Sequence, residues 1–446
     1  MAAAFSICVC AASAFGQTTT STAPVVHPVF GGTRATNAGL NSADLSISID
    51  EAYETNVFDE SHRQDPTVFR AHGFYSELKA DGDYARNGEH LKIAATAGSN
   101  LRYYQDLERV VPVNQYLGAG LTADVGHRTT ISLNQTVAYT PSFFSGALPT
   151  ATAPVLDWVT TGAPIPGWVS TAGTDYSLNT LRSYAYGTSA VLNQRLTPHS
   201  SASFDSSFQY TDFAGGPTPL KSLASGEVGG HYAYRFNRSG TLRLGYTYQE
   251  GQYLLARVRA HGLGIGFEIN RALSSRRRSS VAFNFGSTLV NGPVPTDNST
   301  GSVPRRQFRL TGDGAASYDL GGTWRARGTV RRGVMVIEGF SSPLLVNAYA
   351  GEITGFATRR LDVLVSAGYS RGDSTLIVSN TDLRTATGDV RLRYGLTRWV
   401  AIYAEYSNYS YLFGQGVLSS LLPLTPRIER NGLHVGLAFW TGTRQR

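Results

Sequence analysis

The residues best equipped for chemistry in this sequence are arginines at even spacing. Arg325, Arg327 and Arg331 share one stretch, Arg391 and Arg393 another, and Arg243 and Arg309 sit in comparable settings. A guanidinium presents a planar fork of donors and stays charged at any physiological pH, so such a set suits carboxylates, phosphates and other anions. Carboxylates occupy the same kind of position: Asp205, Glu227, Asp313 and Asp389, with Glu268, Glu352, Asp362 and Glu405 beside them. Around the first group Trp324, Ala326, Val330 and Val334 alternate with Arg325, Arg327, Thr329 and Arg331. A period of two places the charges on one face of a strand and the apolar side chains on the other.

Other constellations point nowhere definite. A basic run at 276–278 could meet phosphate, but in a turn it reads as a solvated patch. Gly262, Gly264 and Gly266 have glycine spacing with no helix to follow, which excludes a dinucleotide loop. His231 and His261 have serines and aspartates elsewhere in the chain, yet no motif brings them together as a hydrolase would need. The sequence therefore predicts no catalytic residue, no metal site and no cofactor. Cys8 and Cys10, the only cysteines, both lie in the N-terminal apolar stretch, so a chain cut after them has neither a disulfide nor a thiol ligand. Net charge is +7 without a basic helix or zinc-ligand spacing, and nucleic acid is not an expected partner.

What must position the arginines is a strand, and the same strand pattern recurs along most of the chain. In the hairpin 307–336, Phe308, Leu310, Gly312, Gly314, Ala316 and Tyr318 alternate with Arg309, Thr311, Asp313, Ala315, Ser317 and Asp319. Segments of roughly ten residues with this alternation, joined by alternately short and long connections, mark a transmembrane β-barrel with a polar interior. No apolar run reaches the roughly 18 residues of a spanning helix, so a membrane protein of this kind must close its sheet. The expected fold is all-β: one transmembrane antiparallel up-and-down barrel of about 18 strands, with 16 as the even alternative. The first strand is expected over 45–53, with Glu51 breaking its apolar phase, and the stretch 68–80 is weakly patterned.

Short connections at 197–199, 237–239, 274–278, 321–322, 359–360 and 397–398 belong in the periplasm, and long polar ones at 292–304, 338–345, 372–383 and 414–426 outside the cell. Aromatic residues then fall at two levels. Phe236, Tyr318, Trp324, Trp399 and Phe439 lie near the periplasmic ends, and Tyr139, Tyr184, Tyr210, Tyr248, Phe308 and Tyr369 near the outer ends. The longest connection, 141–179, carries five prolines and two tryptophans, and could cap the mouth or fold into the lumen. Arginine on the lipid side near the midplane would cost about 2 to 4 kcal/mol, so the arginines are expected to face inward as pore lining together with the acids. Opposed charges across a constriction would favour small polar solutes, with anions preferred where arginine dominates. The alternative is that each arginine pairs with a neighbouring carboxylate and fills the wall.

Residues 1–16 read as a signal peptide, 17–43 as a flexible periplasmic lead-in, and 44–446 as the barrel. Tyr53, Asn56 and Phe58, with Glu54 between them, resemble the Tyr-Asp-x-Asn-Val/Ile-Phe signature of a family of outer-membrane β-barrel porins associated with exopolysaccharide export, although Glu54 stands where that signature has aspartate. The last strand, with Gly432, Leu437 and Phe439, is similar to the terminal strand recognised by the barrel-assembly machinery, but continues to Arg446 beyond its last aromatic residue. The resemblance implies an outer-membrane location in a Gram-negative type of cell, with lipid and the assembly machinery as partners. The expected function is passive diffusion of small hydrophilic solutes, anions among them. The alternatives are polysaccharide export and a non-conducting protein whose loops bind partners. Trimers are common among such barrels, so a homo-oligomer is compatible with the sequence, but no stripe singles out an interface.

Overall fold

The computed structural model describes residues 41–57, 71–104, 113–140, 182–214, 222–252, 257–274, 277–295, 302–320, 323–335, 343–376, 383–413 and 427–445. They form eighteen strands: β1 (Asn41–Val57), β2 (Ala71–Asn87), β3 (Leu91–Tyr104), β4 (Val113–Val125), β5 (Thr129–Thr140), β6 (Arg182–Arg195), β7 (Ser200–Ala214), β8 (Leu223–Arg235), β9 (Gly240–Gln252), β10 (Arg257–Ser274), β11 (Arg277–Pro295), β12 (Ser302–Leu320), β13 (Trp324–Met335), β14 (Leu344–Phe356), β15 (Leu361–Ser374), β16 (Leu383–Gly395), β17 (Val400–Phe413) and β18 (Arg427–Gln445). Each strand is antiparallel to the next in chain order, and β18 returns to pair with β1, so the sheet has no free edge. Closure of this kind satisfies the backbone without water, as lipid demands.

Alternation and register together assign every side chain to a face. On β1 Leu45, Ile47 and Ile49 are exposed while Asp50, Ala52 and Glu54 are buried. Ile47 lies opposite Phe439, and Ile49 opposite both Leu437 and Leu78, so the outward set continues across the seam. The outer surface also carries Leu263, Ile265, Phe283, Phe285, Phe308 and Leu310, all more than a third exposed. Such a continuous apolar wall is stable only against acyl chains, and the chain is a membrane barrel of the outer-membrane type.

The tight turns share one chemistry. Thr197, Thr358 and Thr397 each accept, on Oγ1, the backbone N–H groups of the residues two and three positions on, at 3.0 to 3.2 Å. Asn237 Oδ1 does the same for Ser239 and Gly240. A side-chain oxygen that mimics a backbone acceptor closes a turn in few residues. In the turn at 126–128 Gly126 takes φ of 69°, which a side chain would oppose. These turns share one end of the barrel. Aromatic contacts mark both ends: Phe236 stacks on Phe267 at 5.4 Å near the turns, and Tyr139 meets Tyr184 at 5.0 Å near the long connections.

The sequence-based boundaries shift in places. Residues 41–43, expected in the lead-in, already pair with 443–445 at the start of β1. Of the weakly patterned 68–80, residues 71–80 open β2, which runs to Asn87, and 68–70 lie outside the described residues. Residues 344 and 345, expected in an outer connection, open β14. Residues 1–16, the connection 141–179, the turn 321–322 and Phe58 lie outside the described residues, and nothing of the side chain of Asn56 is described.

Candidate functional site in the barrel lumen

By register, Asp205, Glu227, Arg243, Arg309, Asp313, Arg325, Arg327, Arg331, Asp389, Arg391 and Arg393 all stand on the face opposite the apolar wall. Several are held by carboxylates. Arg243 binds Glu268, Arg393 binds Asp362, and Arg325 Nε donates to Asp319 Oδ1 at 2.8 Å. Arg327 stands opposite Glu352, and Arg331 opposite Asp313. His231 Nε2 lies 2.8 Å from Asp205 Oδ1, while the Nδ1 edge of that ring covers Gly245. His261 stands on the outer wall, 2.9 Å from the Tyr246 hydroxyl. Strands β7 and β16 are nine apart in an eighteen-stranded ring, so Asp205 and Arg391 are diametrically placed. The pairing within the wall nevertheless neutralises most of the field that such opposition would create.

The lumen divides into three regions. The first is a cavity of about 1100 Å³ that opens among the short turns, at His90, His127 and His199, and rises to Asp313 and Arg331. Its lining carries seven arginines and six carboxylates, a near balance that leaves only a weak excess of positive charge. Arg128, Arg195, Arg235 and Arg238 stand at or next to the turns, so the excess lies at that mouth.

The second region is a buried apolar cluster on one side of the lumen. Val258, Ala260, Val290, Val334, Leu345 and Leu376 form one buried cluster. The first three stand on the inward faces of β10 and β11. Val334 and Leu345 have outward parity, yet they are buried. The ladder explains this: β12 pairs with β13 only from Gly312 to Leu320, although it continues to Ser302 against β11. Above Arg332 the β13–β14 hairpin leaves the wall, and its formerly outward face rests on the inner side of β10 and β11. Residues 375–376, just after β15, follow it inward. Arg305 Nη1 donates to the Leu376 carbonyl at 2.8 Å, Arg309 Nη2 donates to the Thr375 carbonyl at 3.0 Å, and Thr375 N donates to the Pro343 carbonyl at 2.9 Å. Leu376 covers Gly292, where an added Cβ would come within 2.7 Å of its Cδ1. Arg309 thus holds a strap in place.

The third region is an ionic network at the seam, on β17, β18, β1, β2 and β3. Arg102 Nε donates to Glu77 Oε1 at 2.8 Å, and Arg102 Nη1 lies 3.4 Å from Glu54 Oε1. The Arg102 guanidinium also covers the Tyr75 ring at 4.7 Å. Tyr75 donates its hydroxyl proton to Glu54 at 2.7 Å, and Tyr403 donates to Asp50 at 2.6 Å. His434 Nδ1 lies 3.1 Å from Asp50 Oδ2, and Lys79 Nζ lies 2.8 Å from Glu77 Oε2. Asp50, Glu54, Glu77, Arg102, Arg430 and His434 are all at most 1% exposed. Asp50, Glu77 and His434 lie close enough to share a metal ion, but Glu77 already meets Lys79 and Arg102, whose charges would oppose one.

Of the motif residues, Tyr53 faces outward against Phe74 at 4.8 Å, while Glu54 belongs to the network. Leu437 and Phe439 face lipid, and Gly432 faces inward, where a Cβ would lie 2.8 Å from Ser407 Oγ and 3.2 Å from His434 Nε2.

No family model matches the sequence, and no curated protein matches it. Among solved structures the chain is similar to Pseudomonas aeruginosa OccK2 (OpdF), at 9% identity and a TM-score of 0.42, over 92% of this chain and 100% of that one. It is also similar to the same protein in complex with glucuronate, at 9% identity and 0.41, over 91% and 100% of the two chains. Pseudomonas aeruginosa OpdK with vanillate follows at 10% identity and 0.41, over 90% and 99%. At these values neither the solute nor the contents of the lumen follow from the likeness.

Proposed function

We propose that this barrel is an outer-membrane channel for passive diffusion of small hydrophilic solutes, with a weak preference for anions and a narrow apolar waist below its outer mouth. The observation that carries this reading is the polar cavity of about 1100 Å³, open among the turns and ending at the Val334, Leu345 and Leu376 cluster. A polar, water-sized space inside a lipid-facing wall lets hydrated solutes cross, and an apolar waist makes passage depend on wetting. Arg331, beside Asp313 at the top of the cavity, is the residue best placed to act on a passing anion. Arg243, Arg325 and Arg393 act chiefly as wall pairs with Glu268, Asp319 and Asp362. Three inward rings that could stack on sugars, Tyr75, Tyr116 and Tyr403, are tied by their hydroxyls to Glu54, Asp81 and Asp50, which disfavours a polysaccharide track. The outward Leu437 and Phe439 on a strand that closes against β1 support delivery by the barrel-assembly machinery.

Planar-bilayer recording tests the proposal. Small ohmic conductance is expected from the native protein, and a larger one from Leu376→Ser, which admits water to the waist. In a salt gradient Arg331→Ala should move the reversal potential toward cations. A protein silent both as wild type and as Leu376→Ser would refute the channel, and an unmoved reversal potential would remove Arg331 from the filter.

A further inference from the structure

Four arginines gather on one arc of the turn-end mouth. Arg128 belongs to the β4–β5 turn, Arg195 and Arg235 close β6 and β8, and Arg238 lies in the β8–β9 turn. All four are exposed and line the opening of the lumen cavity. Two carboxylates share that rim, Glu89 and Asp124, and Asp124 already accepts from Thr130 Oγ1 at 2.8 Å. Among the described residues no carboxylate forms an ion pair with any of the four guanidinium groups. The arc does not face lipid. Leu196 and Phe236, the neighbours of Arg195 and Arg235, take the outward side of the wall, so the arginines beside them turn toward the axis. Successive turns at this end lie two strand spacings apart, roughly 10 Å, so the three turns span about 20 Å. An extended polypeptide advances about 3.3 Å per residue, and carboxylates about three residues apart on one meet successive turns.

We infer that this arc is a docking surface for an extended acidic polypeptide segment presented from the periplasm, its carboxylates on Arg128, Arg195, Arg235 and Arg238. Charge complementarity selects the partner, because guanidinium forks pair with carboxylates through two parallel hydrogen bonds. The spacing selects a polypeptide over a small anion, which reaches one turn only. The chain's own segment 17–40 does not supply the ligand, since it contains neither Asp nor Glu. Short turns belong to the periplasmic side, and the partner therefore approaches from there. Exposed pairs of this kind gain their strength from number and steering, and salt weakens them.

Fluorescence anisotropy of labelled deca-glutamate, added to the barrel in phosphatidylcholine nanodiscs, tests the surface independently of conductance. Wild type should bind this probe and ignore deca-glutamine, and its affinity should fall roughly tenfold as salt rises from about 50 to about 300 mM, a comparison that needs no variant to fold. Replacing Arg128, Arg195, Arg235 and Arg238 together by Gln should lower the affinity roughly tenfold or more. Arg359, Arg360 and Arg398 stand exposed in the β14–β15 and β16–β17 turns of the opposite arc, and replacing those three by Gln should change it less than about threefold. Equal losses in the two variants would reduce the effect to overall charge and overturn the surface, as would a wild type that binds neither probe or both alike. A fourfold variant that keeps the peptide but loses co-purified phosphatidylglycerol in native mass spectrometry would assign the arginines to lipid and overturn it as well.

Discussion

Replacing Arg102 by Met isolates the seam network as an energetic unit. Its charges nearly cancel: Asp50, Glu54 and Glu77 are met by Lys79, Arg102 and Arg430, with His434 beside Asp50. Met keeps much of the volume over the Tyr75 ring but leaves Glu77 and Glu54, each about 1% exposed, with one cation fewer. Removing one partner from a buried ion pair typically costs about 3 to 5 kcal/mol. Lys79 at 2.8 Å and Asn100 at 2.7 Å still serve Glu77, and Tyr75 at 2.7 Å still serves Glu54, so the expected loss lies near the lower limit, about 3 kcal/mol. The diagnostic step is to add Glu77→Gln. If the cost is excess buried negative charge, the second substitution should restore about 1 to 3 kcal/mol, because coupled neighbours do not add. Equilibrium urea unfolding in lipid vesicles, followed by the fluorescence of outward tryptophans such as Trp399, measures both. A double variant weaker than Arg102→Met alone would refute the charge-balance reasoning, and so would an Arg102→Met cost under about 1 kcal/mol.

Two further outcomes follow from the wall itself. Ile265→Arg puts a guanidinium on the lipid face and should cost about 2 to 4 kcal/mol in the same unfolding assay, against less than half of that for Thr247→Arg on the lumen face. Gly436→Ala brings a Cβ to 2.5 Å from the Ile49 carbonyl oxygen and from Asp50 Cβ, so the backbones of β1 and β18 must part; slower formation of the heat-resistant folded band on gels is expected, and an unchanged rate would show that the seam tolerates the spread.

Alternation made the strands legible because lipid outside and water inside impose opposite polarities on successive residues. It made the inward arginines legible for the same reason, but not their partners, since Arg243 and Glu268 meet only through a register that no single strand contains. The seam network escaped notice through its surroundings. Outward Glu51, which accepts from Ser76 at 2.8 Å, interrupts the phase of β1, and the outward Ser76, Ala80 and Gly82 dilute that of β2. The waist escaped for a different reason. Val334 and Leu345 carry the parity of lipid-facing residues, and parity reports a side of the strand, not whether the strand has left the wall. Where β12 and β13 separate above Gly312, the meaning of outward changes, and only the ladder shows where.

The same limit explains why the closing strands carry so much buried charge. A slip of one residue turns every side chain to the wrong face and is rejected by the apolar pattern. A slip of two residues preserves the pattern, so hydrophobicity cannot reject it. Specific pairs can. His434 stands opposite Ala52 and reaches Asp50; moving β18 by two residues in either direction would bring Gly432 or Gly436 to that place, and neither has a side chain to offer. Glu54 with Tyr75 then fixes β1 on β2, and Glu77 with Arg102 fixes β2 on β3. A polar network buried at the junction of the first and last strands thus discriminates among registers that the lipid-facing surface treats as equal. Its loss should therefore broaden the population of folded forms as well as lower stability, which gel mobility of the Arg102→Met barrel would reveal as more than one heat-modifiable band.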